Sequence, residues 1–118
     1  MEITDKLQLK PGHRVTVIGL PSDVDLRLSS SAQADASSAD AVIVFVSSDA
    51  ELSRHRQVLV SAARRDALAW VAYPKAGALG TDLNRDTLAA RLITEGIHPV
   101  RQIAIDAVWS ALRLRPGG

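Results

Sequence analysis

The segment from Asp40 to Lys75 constrains the fold most, because it has the pattern of a strand, a helix and a second strand. Asp40–Val46 is apolar after its first residue, which is typical of a central parallel strand buried on both faces. Ser48 and Glu51 have the spacing of a capping box at a helix start. Leu68–Tyr73 is a second apolar strand. A strand–helix–strand unit joins parallel strands by a right-handed crossover, so an open α/β sheet is predicted.

The flanking segments add further strands and a second helix. In chain order, the predicted elements are a strand at Arg14–Leu20, a half-buried edge strand at Val24–Ser29, a loop at Ser29–Ala39, a strand at Asp40–Val46, a helix from Ser48 to about Arg65, a strand at Leu68–Tyr73, a helix capped by Asn84 or Thr81 and ended by Gly96, and strands at Val100–Ile105 and Val108–Arg115. Asp106 and Ala107 predict a tight reversal between the last two strands. The predicted class is α/β, with a small, open, mostly parallel Rossmann-like sheet, two main helices and a C-terminal antiparallel hairpin.

Length and charge limit the classes of function. A chain of 118 residues has the size of one domain, spanning 1–118. Fourteen basic residues nearly balance 13 acidic ones, so no charge excess favours nucleic acid or an anionic membrane. The absence of cysteine excludes disulfides, thiolate catalysis and zinc–sulfur sites. The sequence lacks a signal-peptide pattern and any apolar run near the ~20 residues that span a bilayer, so a cytoplasmic protein is predicted.

The usual cofactor motifs are missing. A dinucleotide or adenosylmethionine site needs several glycines directly after the first strand, where backbone N–H groups approach the ligand. Here that position holds one glycine, Gly19, followed closely by Pro21. The histidines, His13, His55 and His98, have no metal-ligand spacing. The sequence therefore predicts no cofactor and no metal.

The loop after the second central strand carries the first group of candidate site residues. Lys75 follows that strand directly, where open α/β sheets bind ligands and where an ammonium group can meet a phosphate or carboxylate. Asp82 lies across the loop from Lys75, and the last strand is predicted to bring Arg113 near them. Two interpretations stay open: a buried Lys–Asp–Arg network that fixes the loop, or the same network with a free valence that binds an anion.

The last strand carries a second group of candidates. Trp109 and Arg113 share one face of that strand, with Arg115 continuing the row. An indole beside guanidinium groups can bind anions, but such a tryptophan also packs into cores beneath arginine stems. No catalytic residue is assigned. The candidate ligand-binding residues are Tyr73, Lys75, Thr81, Asp82, Arg85, Trp109 and Arg113.

Several short motifs together carry a resemblance. They are Leu9-Lys10-Pro11-Gly12, Trp70-Val71-Ala72-Tyr73-Pro74-Lys75, Thr81-Asp82-Leu83, Arg85-Asp86 and Trp109-Ser110-Ala111-Leu112-Arg113. The chain resembles a family of small bacterial α/β proteins of unknown function, and its element order is similar to a pared-down methyltransferase core. The resemblance implies a compact intracellular bacterial domain with no established activity.

The function predicted from the sequence is that of a non-enzymatic domain acting by protein contact or self-association. A two-fold dimer would form by sheet extension through an exposed edge, either the last strand or Val24–Ser29. The alternative is a binder of, or enzyme acting on, a small anionic metabolite at the Lys75/Asp82/Arg113 region. Nucleic-acid contact through the arginines of the 54–65 helix is a third, less favoured interpretation, because acids flank that helix and no aromatics interleave.

Overall fold

A mixed β-sheet organises the part of the chain that the computed structural model describes, residues 3–9, 13–22, 24, 26, 32–33, 38–75, 81 and 83–116. The elements are α1 (Ile3–Lys6), β1 (Arg14–Ile18), β2 (Ala32–Gln33), β3 (Ala41–Phe45), α2 (Asp49–Arg64), β4 (Leu68–Pro74), α3 (Arg85–Thr94), β5 (Ile97–Ala104) and β6 (Trp109–Pro116). The strand order is β2-β1-β3-β4-β6-β5. The α/β class is therefore confirmed.

The C-terminal hairpin changes the character of the sheet. Strands β2, β1, β3 and β4 pair in parallel, whereas β6 pairs antiparallel with both β4 and β5. Two of the five pairings between described strands are thus antiparallel, so the sheet is mixed rather than mostly parallel. The predicted closing hairpin is confirmed.

The position of β6 corrects the prediction that the last strand is an exposed edge. Strand β6 lies inside the sheet, and β5 forms the edge. The first four residues of β6, Trp109–Leu112, are all buried, whereas Ile97 is the one buried residue of β5. The more apolar strand takes the inner place because both of its faces are then removed from water.

The opposite edge also differs from the prediction. Val24 and Leu26 are buried but lie in no strand, and the other residues of the predicted Val24–Ser29 strand lie outside the described residues. The edge strand is instead β2, which falls within the predicted Ser29–Ala39 loop and pairs with β1. The alternating pattern correctly identified inward-facing side chains, but it did not determine whether their backbone joins the ladder.

Both main helices begin at capped residues. The Ser48 hydroxyl accepts a hydrogen bond from the Glu51 amide at 3.2 Å and starts α2, as predicted. Asn84, rather than Thr81, caps α3, because its side chain and that of Thr87 each accept the other's backbone amide. Such reciprocal bonds satisfy amides that lack partners within the helix. Gly96 follows α3 with φ of +83°, as predicted for a helix-ending glycine.

Two cores lie on opposite faces of the sheet. Helices α2 and α3 cover one face through residues such as Leu59 and Leu88. On the other face Trp70 is fully buried beneath Leu7, and its indole N–H donates to the Leu7 carbonyl oxygen at 3.0 Å. The N-terminal segment thus acts as the cover that the helices provide on the other side.

Candidate anion-binding cleft

An open cleft of about 800 Å³ lies between the carboxyl end of β4, the first turn of α3 and the β5–β6 hairpin. Its polar lining includes Tyr73, Lys75, Asn84, Arg85, Gln102 and Ser110. The carboxyl ends of strands are where open α/β sheets hold their ligands. Three of the predicted site residues, Tyr73, Lys75 and Arg85, are therefore brought together here.

Tyr73 forms the floor of the cleft. Its side chain is buried, and its hydroxyl accepts a hydrogen bond from Gln102 Nε2 at 3.3 Å. Ser110 lies directly opposite it on β6 and also hydrogen-bonds the phenol through its side chain. Burial raises the pKa of Tyr73, against the opposing effect of the nearby Arg85 charge. The phenol therefore stays neutral at physiological pH and keeps a hydroxyl hydrogen to donate.

Two cations stand on the rim. Lys75 is positioned by its backbone amide, which donates to the Val108 carbonyl at 2.7 Å and ties the end of β4 to the hairpin. Arg85 is the first residue of α3, where the helix dipole adds positive potential. Within the described residues no carboxylate forms an ion pair with either side chain. Asp86 lines the same cleft, so the described rim keeps one excess positive charge.

Thr81 fastens the loop and does not line the cleft. Its hydroxyl donates to the Ser47 carbonyl at 2.7 Å and accepts the Leu83 amide at 3.0 Å. The Glu51 carboxylate in turn accepts hydrogen bonds from the Ser47 amide and hydroxyl. These bonds connect the segment before α3 to the end of β3. Asp82, the other candidate in this loop, lies outside the described residues.

Arg113 is not near Lys75, which corrects the predicted Lys75/Asp82/Arg113 grouping. Arg113 lies opposite Trp70 in the β4–β6 ladder and donates from Nη1 to Gln8 Oε1 at 2.5 Å, on the face away from the two main helices. Side chains alternate along a strand, so Ser110 and Arg113, three residues apart, face opposite sides of the sheet. The position of Arg113 in the sequence of the hairpin does not reveal that its side chain lies on the opposite face of the sheet from the cleft.

Trp109 belongs to the core on that same face. It is 5% exposed, and its ring meets Phe45 edge-on, with centroids 5.2 Å apart and planes at 73°. This geometry is favourable for aromatic pairs. Of the two interpretations of Trp109, core packing is the one that its surroundings support.

Sequence reasoning missed Gln102, Ser110 and the Asn84–Thr87 pair as lining residues of the cleft. Ser110 had a detectable signal, since it is the one polar residue in the otherwise apolar run 108–112. Gln102 had no such signal in the sequence, because it approaches Tyr73 only when β6 lies between β4, which carries Tyr73, and β5, which carries Gln102. Among the described residues, no group of three histidine or acidic side chains is arranged to hold a metal ion.

Comparison with known proteins adds no assignment. No protein-family model matches the chain, and no curated protein matches it significantly. The resemblance to a family of small bacterial proteins therefore stays a prediction from its motifs. Across the described ranges, no helix combines the length and the apolar character needed to cross a membrane.

Proposed function

We propose that this chain is a non-enzymatic α/β domain that binds a small anionic ligand in the cleft between β4 and α3. One observation carries the proposal: Lys75 and Arg85 stand on the rim without ion-pair partners among the described residues, above a floor of hydrogen-bonding groups. The alternative predicted from the sequence, an anionic metabolite at the Lys75 region, is thus retained with Arg85 in place of Arg113.

The chemistry of the lining favours a carboxylate or phosphate. The rim cations can each donate charge-assisted hydrogen bonds to such a group. The floor offers the Tyr73 hydroxyl, the Ser110 hydroxyl and the Gln102 amide for a polar part of the ligand. A volume of about 800 Å³ is within the range of sites for metabolites. Binding accounts for these groups without a catalytic role, so no reaction is proposed.

The strand order supports the methyltransferase-like part of the prediction. Strands β5 and β6 pair antiparallel, and the resemblance implies a closing hairpin of this kind. The missing glycine loop argues against adenosylmethionine in its usual place after β1. We therefore propose a methyltransferase-like architecture whose binding site has moved to the carboxyl end of β4.

Titration with carboxylated and phosphorylated metabolites tests the cleft. A true ligand at a hundredfold excess over its Kd should stabilise the fold by about 2.7 kcal/mol. Lys75→Gln and Arg85→Gln should each weaken binding roughly tenfold or more, because each removes a charged donor. Arg54→Gln, an exposed arginine on α2, is the matched control and should bind normally. A ligand whose affinity is unchanged in Arg85→Gln would contradict the proposal.

Self-association is the second candidate, and one observation favours a particular surface. Val100 lies on the edge strand β5 with 54% of its surface exposed. We propose that a dimer would use this edge, since β6 is internal. However, Pro99 and the bulge between Pro99 and Arg101 interrupt the ladder, which weakens flush strand pairing. Light scattering should detect a dimer that Val100→Asp dissociates, and a monomer at all concentrations would exclude this route.

A further inference from the structure

Three arginines lie close together on the β5–β6 hairpin. Arg101 on β5 is the direct cross-strand partner of Arg113 on β6. Arg115 lies two residues further along β6, so its side chain is directed to the same face. Like charges directly opposite each other on an antiparallel pair destabilise it. A bound anion would reduce the repulsion between the two guanidinium groups.

Arg113 has little compensation from the described residues. Its side chain is half-buried, and it donates a hydrogen bond to a neutral acceptor, the Gln8 amide oxygen at 2.5 Å. Its Nε–H is buried and has no acceptor among the residues that the structure describes. Burial lowers the pKa of Arg113, and the Arg115 and Arg101 charges act in the same direction. A partly desolvated cation with an unused donor normally has a partner anion, because leaving it unpaired is costly.

Asp66 does not supply that anion. The charge of Asp66 raises the pKa of Arg113, but the Asp66 carboxylate forms its ion pair with Arg115, at 3.4 Å. Both side chains of that pair are more than half exposed, so water screens its effect. Among the described residues, neither Arg101 nor Arg113 therefore forms an ion pair with a carboxylate.

We propose that Arg101 and Arg113, with Arg115 beside them, form an oxyanion site for a phosphate group. Planar guanidinium groups bind phosphate oxygens through paired N–H donors. A phosphate dianion matches the two uncompensated charges, whereas a carboxylate would neutralise only one. Arg113 is held by Gln8 and gives a fixed half of the site, and the exposed Arg101 can close over the anion from β5. Arg113 lies on the face away from the cleft, whereas Arg101 at the β5 edge also lines a smaller pocket with Arg85 and Asp86.

Calorimetric titration with inorganic phosphate at about pH 8, where both inorganic phosphate and phosphate monoesters are largely dianionic, tests the proposal. The full chain carrying Lys75→Gln and Arg85→Gln is the starting protein, so that the cleft does not contribute. Adding Arg101→Gln should weaken phosphate binding by about tenfold or more. Adding Arg54→Gln instead should leave it unchanged. Equal affinity in the Arg101→Gln and Arg54→Gln proteins would overturn the proposal.

A second measurement does not depend on the ligand. Without phosphate, Arg101→Gln should raise the melting temperature, because it removes a like charge facing Arg113. Arg101→Glu should raise it further, since it supplies the missing carboxylate, and should abolish phosphate binding. A melting temperature that falls in both variants would overturn the proposal. Because Arg101 is exposed, neither substitution disturbs the core.

The source of the phosphate is distinguished by parallel titrations. Binding of inorganic phosphate supports a site for the free ion, and binding of glycerol phosphate alone supports a site for a phosphate monoester. In both cases the Arg101→Gln protein should lose the signal. Binding of a single-stranded oligonucleotide with no binding of either dianion would overturn the proposal in favour of a nucleic-acid surface. Absence of binding in all three titrations would overturn it outright.

Discussion

Gly19 illustrates at the scale of one residue how a close approach restricts what the chain can tolerate. It follows β1 with φ of +74°, a conformation that side chains disfavour. A Cβ at this position would lie 2.8 Å from the Phe45 carbonyl oxygen. The glycine therefore ends β1 and allows the backbone of β3 to lie against it. A function in cofactor binding is not needed to explain it.

Gly19→Ala should lower the free energy of unfolding by about 2 kcal/mol or more, because backbone strain and a collision with a backbone oxygen act together. Gly96→Ala is the matched control. Gly96 has φ of +83°, but the nearest atom to its Cβ position is the mobile Arg64 Nη2 at 3.9 Å. Its loss should be only about 1 kcal/mol. Urea unfolding of both variants measures the difference, and equal losses would show that the Phe45 contact does not matter.

At the scale of elements, the N-terminal segment is part of the fold and not an appendage. Leu7 is fully buried, and its carbonyl accepts the Trp70 indole N–H. Lys6 reaches the Ala104 carbonyl at 3.4 Å, and Gln8 contacts Arg113. One short segment thus binds β4, β5 and β6 on the face that the main helices leave open.

Trp70→Phe tests this cover. The substitution keeps an aromatic ring but removes the donor to Leu7, leaving a buried carbonyl without that partner. The unfolding free energy should fall by about 1–3 kcal/mol. In the variant, the backbone amides of residues 3–9 should exchange faster than in wild type, and their exchange should increase more than that of α2. Trp109→Phe is a suitable control, since the contact to Phe45 is between rings. If protection of residues 3–9 is unchanged, the hydrogen bond does not hold the segment.

At the scale of the whole molecule, Tyr73 links stability to alkaline pH. It is the only tyrosine in the chain, and burial raises its pKa above the ordinary 10.0. The unfolded chain then loses this proton at lower pH than the folded protein does. The contribution to stability is therefore complete below 10.0 and is lost as pH rises through the folded pKa.

Wild type should lose more stability than Tyr73→Phe between neutral and strongly alkaline pH, because lysine titration is common to both proteins. As pH rises, the absorbance of the Tyr73 phenolate should appear at a higher pH in the folded protein than in the protein unfolded in urea. An anion bound at Lys75 and Arg85 should move the phenolate absorbance to still higher pH, since a negative charge nearby disfavours the phenolate. Coincident absorbance curves for folded and unfolded protein would contradict this assignment.

Much of the architecture was readable from local patterns. The apolar run at Ala41–Phe45 and the Ser48/Glu51 cap predicted β3 and the start of α2, because strand burial and helix capping depend on residues a few positions apart. Gly96 and the closing hairpin were predicted for the same reason. Lys75 was singled out by its position at the end of a buried strand, and it lines the cleft together with Arg85; a ligand site there stays a prediction.

The sequence by itself determined the class of fold and the two main helices, and it singled out Lys75 by its position after a buried strand, since each of these follows from a local pattern. Only the tertiary structure decided that β6 lies between β4 and β5 and that β2 forms the far edge. The same pairings place Arg113 behind the sheet and bring Gln102 to Tyr73. Pairing between distant strands depends on the burial of both partners together, and no single stretch of sequence contains that information.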